Sequence, residues 1–213
     1  MTSVRGVVVV AHGGRPVSTA PTTAVQPAVL RMVPVAAAIR RAFPGGTVVV
    51  TRPRFRLQGW NGDRASPVGD LREHLDDLRG QFGPVPVVLV GHSMGARAAL
   101  RAAAHPSVVA VAGLAPWLPP GEPVDQLSGR SVLLAHGTAD VVTSPAETWA
   151  YADLARTVAR VTEVEIRGGD HPMIRRAAQW HALTATFVGA SLGFPPPPGP
   201  SASALARPRR AVL

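Results

Sequence analysis

Three groups of reactive residues stand immediately after short apolar runs. Val85–Val90 is followed by Gly91-His92-Ser93-Met94-Gly95, a Gly-x-Ser-x-Gly pattern. Ser131–Ala135 leads into His136-Gly137-Thr138-Ala139-Asp140, and Val161–Ile166 into Gly168-Gly169-Asp170-His171-Pro172. A serine hydroxyl is a weak nucleophile near neutral pH and needs a base to take its proton, which in turn needs an acid to orient it. Ser93 is the candidate nucleophile, Asp140 the acid and His171 the base, and they run along the chain in the order Ser, Asp, His. Glycines flank Ser93 because a sharp strand-to-helix turn brings backbone segments too close for side chains and presents the hydroxyl to solvent. The context fits, with Val-Pro-Val-Val-Leu-Val before the pattern and the helix-forming Ala-Arg-Ala-Ala-Leu-Arg-Ala-Ala-Ala after it. The structural alternative is a glycine-rich turn whose serine caps a helix.

Position decides among the competing residues. His74, His105 and His181 fall within or at the ends of expected helices. His92 lies in the tight turn, its side chain expected to point away from Ser93, and His136 is expected to hold its own loop through a hydrogen bond. Asp170 adjoins His171, where consecutive side chains of an extended loop diverge, and Asp63, Asp70 and Asp125 lie on earlier loops. Backbone donors for a developing oxyanion are expected from Gly13 and Gly14, at the end of the first apolar run, and from Met94. Gly13-Gly14 reads poorly as a phosphate loop, since no Gly-x-Gly-x-x-Gly or Gly-Lys-Ser follows.

The elements that must position these residues are valine-rich runs alternating with Ala-, Leu- and Arg-rich stretches of helical spacing. Strands are expected at Gly6–Ala11, Thr47–Thr51, Val85–Val90, Val108–Leu114, Ser131–Ala135 and Val161–Ile166. Helices are expected near Pro27–Ala42, Val68–Gln81, Met94–Ala104, Pro145–Val158 and Ile174–Gly189. The strands are almost wholly apolar, as parallel strands covered on both faces must be. The expected fold class is α/β, a doubly wound and mostly parallel sheet of about six strands flanked by helices, with functional loops at the carboxyl ends of the strands. One domain, residues 1–193, is expected to be followed by a disordered Pro- and Arg-rich tail over 194–213.

Composition excludes several functions. A chain of 213 residues, 46% hydrophobic and 16% charged, suits one packed domain. With no cysteine, disulfides, thiolate metal sites and a cysteine nucleophile are ruled out. The formal charge of +9 rests entirely on arginine. Scattered from Arg5 to Arg210, these residues read as the codon bias of a GC-rich genome, and no nucleic-acid partner is expected. No stretch reaches the roughly 18 apolar residues of a membrane span, and the N-terminal valine run is too short for a signal-peptide core, so a cytoplasmic location is expected. No cofactor or metal is expected, and oligomeric state is left open.

These motifs, His12-Gly13-Gly14, Gly91-His92-Ser93-Met94-Gly95, His136-Gly137-Thr138-Ala139-Asp140 and Asp170-His171, resemble those of the α/β-hydrolase family across roughly Val4–Leu192. The likeness is to its small serine esterase and lysophospholipase-like members. It implies hydrolysis of a carboxylic ester of a small acyl substrate through an acyl-enzyme. Thioesterase, lactonase, amidase or cofactor-free perhydrolase chemistry, and a non-catalytic binding role on the same fold, stand as alternatives. Against the family pattern, the chain starts at what resembles the third strand, and only Pro116–Arg130 separates the fourth and fifth runs. An open site without a sizeable lid is implied. Trp60, Trp117 and Met173 are expected to line its pocket, with Trp117 and Met173 forming an apolar acyl pocket beside Ser93. Arg52, Arg54 and Arg56 alternate along one segment and share one side, where they either attract an anionic group or form a solvated loop.

Overall fold

The computed structural model describes residues 4–207 and 210–213, so Met1–Ser3 and the tail residues Pro208 and Arg209 lie outside it. Seven strands form one parallel sheet: β1 (Gly6–Ala11), β2 (Val48–Thr51), β3 (Val87–His92), β4 (Val108–Leu114), β5 (Ser131–Gly137), β6 (Arg160–Ile166) and β7 (Ala211–Val212). Their order is β2-β1-β3-β4-β5-β6-β7. The chain runs from β1 outward to β2 and returns to β3 on the other side of β1. Open α/β sheets place ligands at such a reversal, outside the carboxyl ends of the strands, and here those ends are His12-Gly13-Gly14 and Ser93.

Because strand side chains alternate between faces, the valines divide into two cores. Val7, Val9, Leu89, Val111 and Leu134 pack under α3 (Ser66–Phe82), α4 (Met94–Arg101) and α5 (Pro145–Ala155). Val8, Val10, Val88, Val90 and Leu133 pack under α2 (Met32–Ala42) and α6 (Ala177–Ser191). Both faces are therefore covered, which explains why the strands read as continuous apolar runs.

Three expected elements differ from the structure. The helix expected over Pro27–Ala42 is split into α1 (Pro27–Leu30) and α2. Pro34 explains the break, because it has no N–H to bond the carbonyl of Leu30 and its ring crowds that same carbonyl. The helix expected from Ile174 begins at Ala177, since Met173 and Arg176 are left-handed at φ 57° and 62°. The tail expected to be disordered instead carries α7 (Pro200–Leu205) and β7, which pairs with β6. Its anchor is Glu163, buried in β6, which receives Arg210 at 2.5 Å and is also bonded by Arg156, while Arg210 stacks on Trp149 at 4.1 Å. Between β4 and β5 the described backbone holds one short 3-10 turn, Asp125–Leu127, and no inserted helical lid.

Candidate active site

Ser93 lies between the last residue of β3 and the first of α4, with φ 55° and ψ −120°. This conformation is strained for a residue with a side chain and persists only where the surroundings enforce it. The surroundings are the flanking glycines: a Cβ on Gly91 would lie 2.3 Å from the carbonyl oxygen of Gly95, and one on Gly95 2.4 Å from that of His12. Gly13 also faces Ser93, its added Cβ falling 3.4 Å from the serine's own. The first amides of α4, beginning with Met94, have no acceptor within the helix, and the positive end of the helix dipole lies beside the hydroxyl.

Asp140 and His171, expected from separate loops, meet: Nδ1 of His171 donates to Oδ2 of Asp140 at 2.8 Å. With a carboxylate on that side the proton resides on Nδ1, leaving Nε2 with its lone pair. A bond from Ser93 Oγ to Nε2 is not formed in this structure among the described residues; the bonds of His171 run to Asp140, Thr143 and His92. The two loops are held together by backbone. A Cβ on Gly137 would come 2.2 Å from the carbonyl oxygen of Gly169, and the N–H of Ala139 donates to that carbonyl at 2.9 Å.

Asp140 is held in its ionised form. Burial alone would raise its pKa, but His136 and His171 donate to Oδ2 while the amides of Val142 and Thr143 donate to Oδ1 at 2.8 and 3.0 Å, and the balance drops it well below the usual carboxylate range. Thr143 Oγ1, 3.0 Å from Oδ2 and 3.1 Å from His171 Nδ1, completes the cluster.

Several contributing residues escape sequence reasoning. His92, expected to point away, turns its ring against that of His171, centroids 4.8 Å apart, and its Nε2 donates 2.8 Å to the His171 carbonyl. Complete burial and then the neighbouring His171 push the His92 pKa down to about 3, so the ring stays neutral. His12 is buried and likewise lowered by desolvation. Its Nε2 accepts from the amide of Phe55 at 3.1 Å, so Nδ1–H donates 2.7 Å to the carbonyl of Gly13. In a trans peptide this turns the following N–H, that of Gly14, away from the ring. His136 does hold its loop, between Thr148 and Asp140. Gly137, the last residue of β5, is a visible signal for the loop contact; the bond over 79 residues from His92 to His171 has none.

Of the three expected pocket residues, Trp60 and Trp117 come together but Met173 does not join them. Trp60 and Trp117 meet edge to face at 6.3 Å, and the Arg97 guanidinium covers both at 3.8 and 4.5 Å. Met173 belongs to the core on the opposite face of the sheet. The Trp117 amide still reaches the Ser93 carbonyl at 3.3 Å, so its backbone borders the site while its ring is occupied by Arg97. Of the three arginines after β2, Arg56 is paired with Asp70 and Glu73, and Arg52 and Arg54 are exposed.

No protein-family model matches the chain, and no curated protein matches it in sequence. Solved structures do. Est1E from Butyrivibrio proteoclasticus superposes with a TM-score of 0.68 at 12% identity, over 91% of this chain and 90% of that one. The chain has the α/β-hydrolase fold. An alpha-beta serine hydrolase homologue from Coxiella burnetii gives 0.66 at 18% identity, covering 87% of this chain and 86% of that one. A Paleococcus ferrophilus monoacylglycerol lipase gives 0.64 at 14%, covering 89% and 96%. At these identities the likeness is one of fold. Among the described residues no helix is long and apolar enough to cross a membrane, and no cluster of His, Asp or Glu has the grouping of a metal site.

Proposed function

We propose that this chain is a serine hydrolase that cleaves a carboxylic ester, or a related acyl bond, of a small substrate through an acyl-enzyme. The observation that carries the reading is the strained Ser93 at the head of α4, on the same rim of the sheet as an ionised Asp140 bonded to His171. Nε2 of His171 takes the proton of Ser93 as Oγ attacks the carbonyl carbon, and Asp140 stabilises the imidazolium that forms. The amide of Met94, with those of Gly13 and Gly14, receives the oxyanion; each such donor contributes about 100- to 1000-fold in rate. His171 then protonates the leaving alcohol, and water repeats the cycle on the acyl-serine. Neighbours of the same fold that are described as an esterase domain and a monoacylglycerol lipase support acyl-ester chemistry in this coarse sense.

Labelling by a fluorophosphonate probe tests the nucleophile. Wild type is expected to be labelled and Ser93→Ala not; labelling that survives the substitution refutes the assignment. Because a protonated imidazole cannot accept the serine proton, kcat/KM on a neutral ester is expected to fall on acidification. A flat profile contradicts His171 as base.

A further inference from the structure

Beside the His171 loop, between α2 and α6, runs a cleft of about 400 Å³ lined by Arg31, Val35, Pro172, Met173, Ile174 and His181. Its Pro172–Ile174 wall follows His171 directly, beyond the carboxyl end of β6 on the same rim as Ser93. Arg31 follows β1 at the head of α2, Pro172–Ile174 follow β6, and α6 begins beside them. The walls are mainly aliphatic. Met173 is buried, whereas Ile174 at the mouth is 74% exposed.

Arg31 is the exception in this lining. It is half-buried, yet among the described residues it makes no ion pair and no side-chain hydrogen bond. Its place follows from the chain, since Pro34 stops α1 at Leu30 and leaves Arg31 at the break. The acidic group whose charge bears on it, Asp170, is engaged elsewhere, Oδ1 accepting the amides of Ile174 and Arg175 at 2.9 Å each. Other buried or half-buried arginines have acceptors: Arg97 and Arg101 share the carboxylate of Glu122, and Arg130 donates to the carbonyl of Ala103, as the exposed Arg40 does to that of Val50. A cation partly removed from water without such a partner gains from an anion that brings one.

We infer that this cleft is the substrate-specificity site of the proposed hydrolase, and that it takes a carboxylate-bearing aliphatic substrate with the carboxylate on Arg31 and the hydrocarbon between α2 and α6. The inference rests on the hydrolase reading. The carboxylate belongs either to the acyl portion, as in a monoester of a dicarboxylic acid, or to the alcohol portion, as in an acyl ester of a hydroxy acid. Ser93 chemistry is the same for both.

The test compares Arg31→Met with wild type on three substrates: p-nitrophenyl butyrate, the p-nitrophenyl monoester of adipic acid, and the butyryl ester of 4-hydroxybutyrate. Arg31→Met is expected to raise KM about tenfold or more for at least one charged ester and to leave the neutral ester within about twofold. The ester that responds assigns the carboxylate to acyl or alcohol. Equal effects on all three substrates, or none, overturn the inference. A readout independent of turnover separates the two layers: octanoate binding to Ser93→Ala protein, followed by NMR. Binding is expected to perturb His181 and to weaken at least tenfold in the Ser93→Ala, Arg31→Met double variant. If wild type hydrolyses no ester but octanoate binding depends on Arg31, the hydrolase reading fails and the anion site stands. If binding is absent or indifferent to Arg31, the site fails whatever the activity.

Discussion

The two sides of the sheet use the same side chain to opposite ends. On the α3–α4 side, Arg97 is 8% exposed, lies over Trp60 and Trp117, and donates to Glu122 through both Nε and Nη2; Arg101 adds two further bonds to the same carboxylate. On the α2–α6 side, Arg31 has no such partner among the described residues and lines a cleft. A buried guanidinium fully engaged by carboxylate and aromatic faces fixes the β4–β5 connection that carries Glu122 against α4, whereas an unengaged one is free to select what binds. Sequence composition cannot tell these apart, because both are arginines in stretches of helical spacing after a strand.

The largest effect expected of this difference comes from Glu122→Ala, which leaves Arg97 and Arg101 facing each other without their shared carboxylate. Removing one partner of a buried pair costs about 3 kcal/mol or more. Urea denaturation is expected to show that loss, while kcat per folded molecule on a neutral ester changes little. A loss confined to activity contradicts a purely structural clamp.

His92, between the two sides, gives the next effect. A histidine of the unfolded chain takes its proton near pH 6.5, whereas in the folded protein His92 does so only at about 3. Between these values the unfolded state holds the extra proton, so stability falls as pH is lowered, at about 1.4 kcal/mol per pH unit. His92→Asn is expected to remove one proton's worth of that slope between about pH 6 and 4. His12, also lowered by burial, contributes in both proteins and cancels in the comparison. Identical slopes in the two proteins break the reading of His92 as a buried neutral ring.

The smallest effect is on the stability of the cleft side. Arg31→Met is expected to change the unfolding free energy measured in urea by no more than about 0.5 kcal/mol, as for surface changes away from packed features. A larger loss indicates that Arg31 is structural like Arg97, and sharpens the contrast in the wrong direction for a binding role.

What the sequence made legible was whatever depends on local backbone demands. Gly91 and Gly95 declare the tight turn at Ser93 because no Cβ fits, and apolar runs declare strands covered on both faces. Asp140 and His171 were reachable because each follows a strand end, which the parallel order brings to one rim. The missing parts depend on distant partners. Thr143 beside Asp140, His92 under the His171 loop and Arg97 between two tryptophans carry no periodicity or motif. Composition also misled. A segment of four prolines and clustered arginines suits a disordered tail, but Glu163, a buried acidic residue of β6, supplies the partner that holds it through Arg210.

That fold-back bears on how molecules of this protein meet one another. Without β7, the outer edge of β6 would offer a row of unpaired amides and carbonyls, the template on which strands of separate chains add and aggregate. β7 covers it with two residues, and a strand so short leaves little edge of its own for another chain to extend. Pairing at Val164 and Glu165 removes that part of the edge, and loss of the segment is expected to show first as lower solubility of the protein at high concentration.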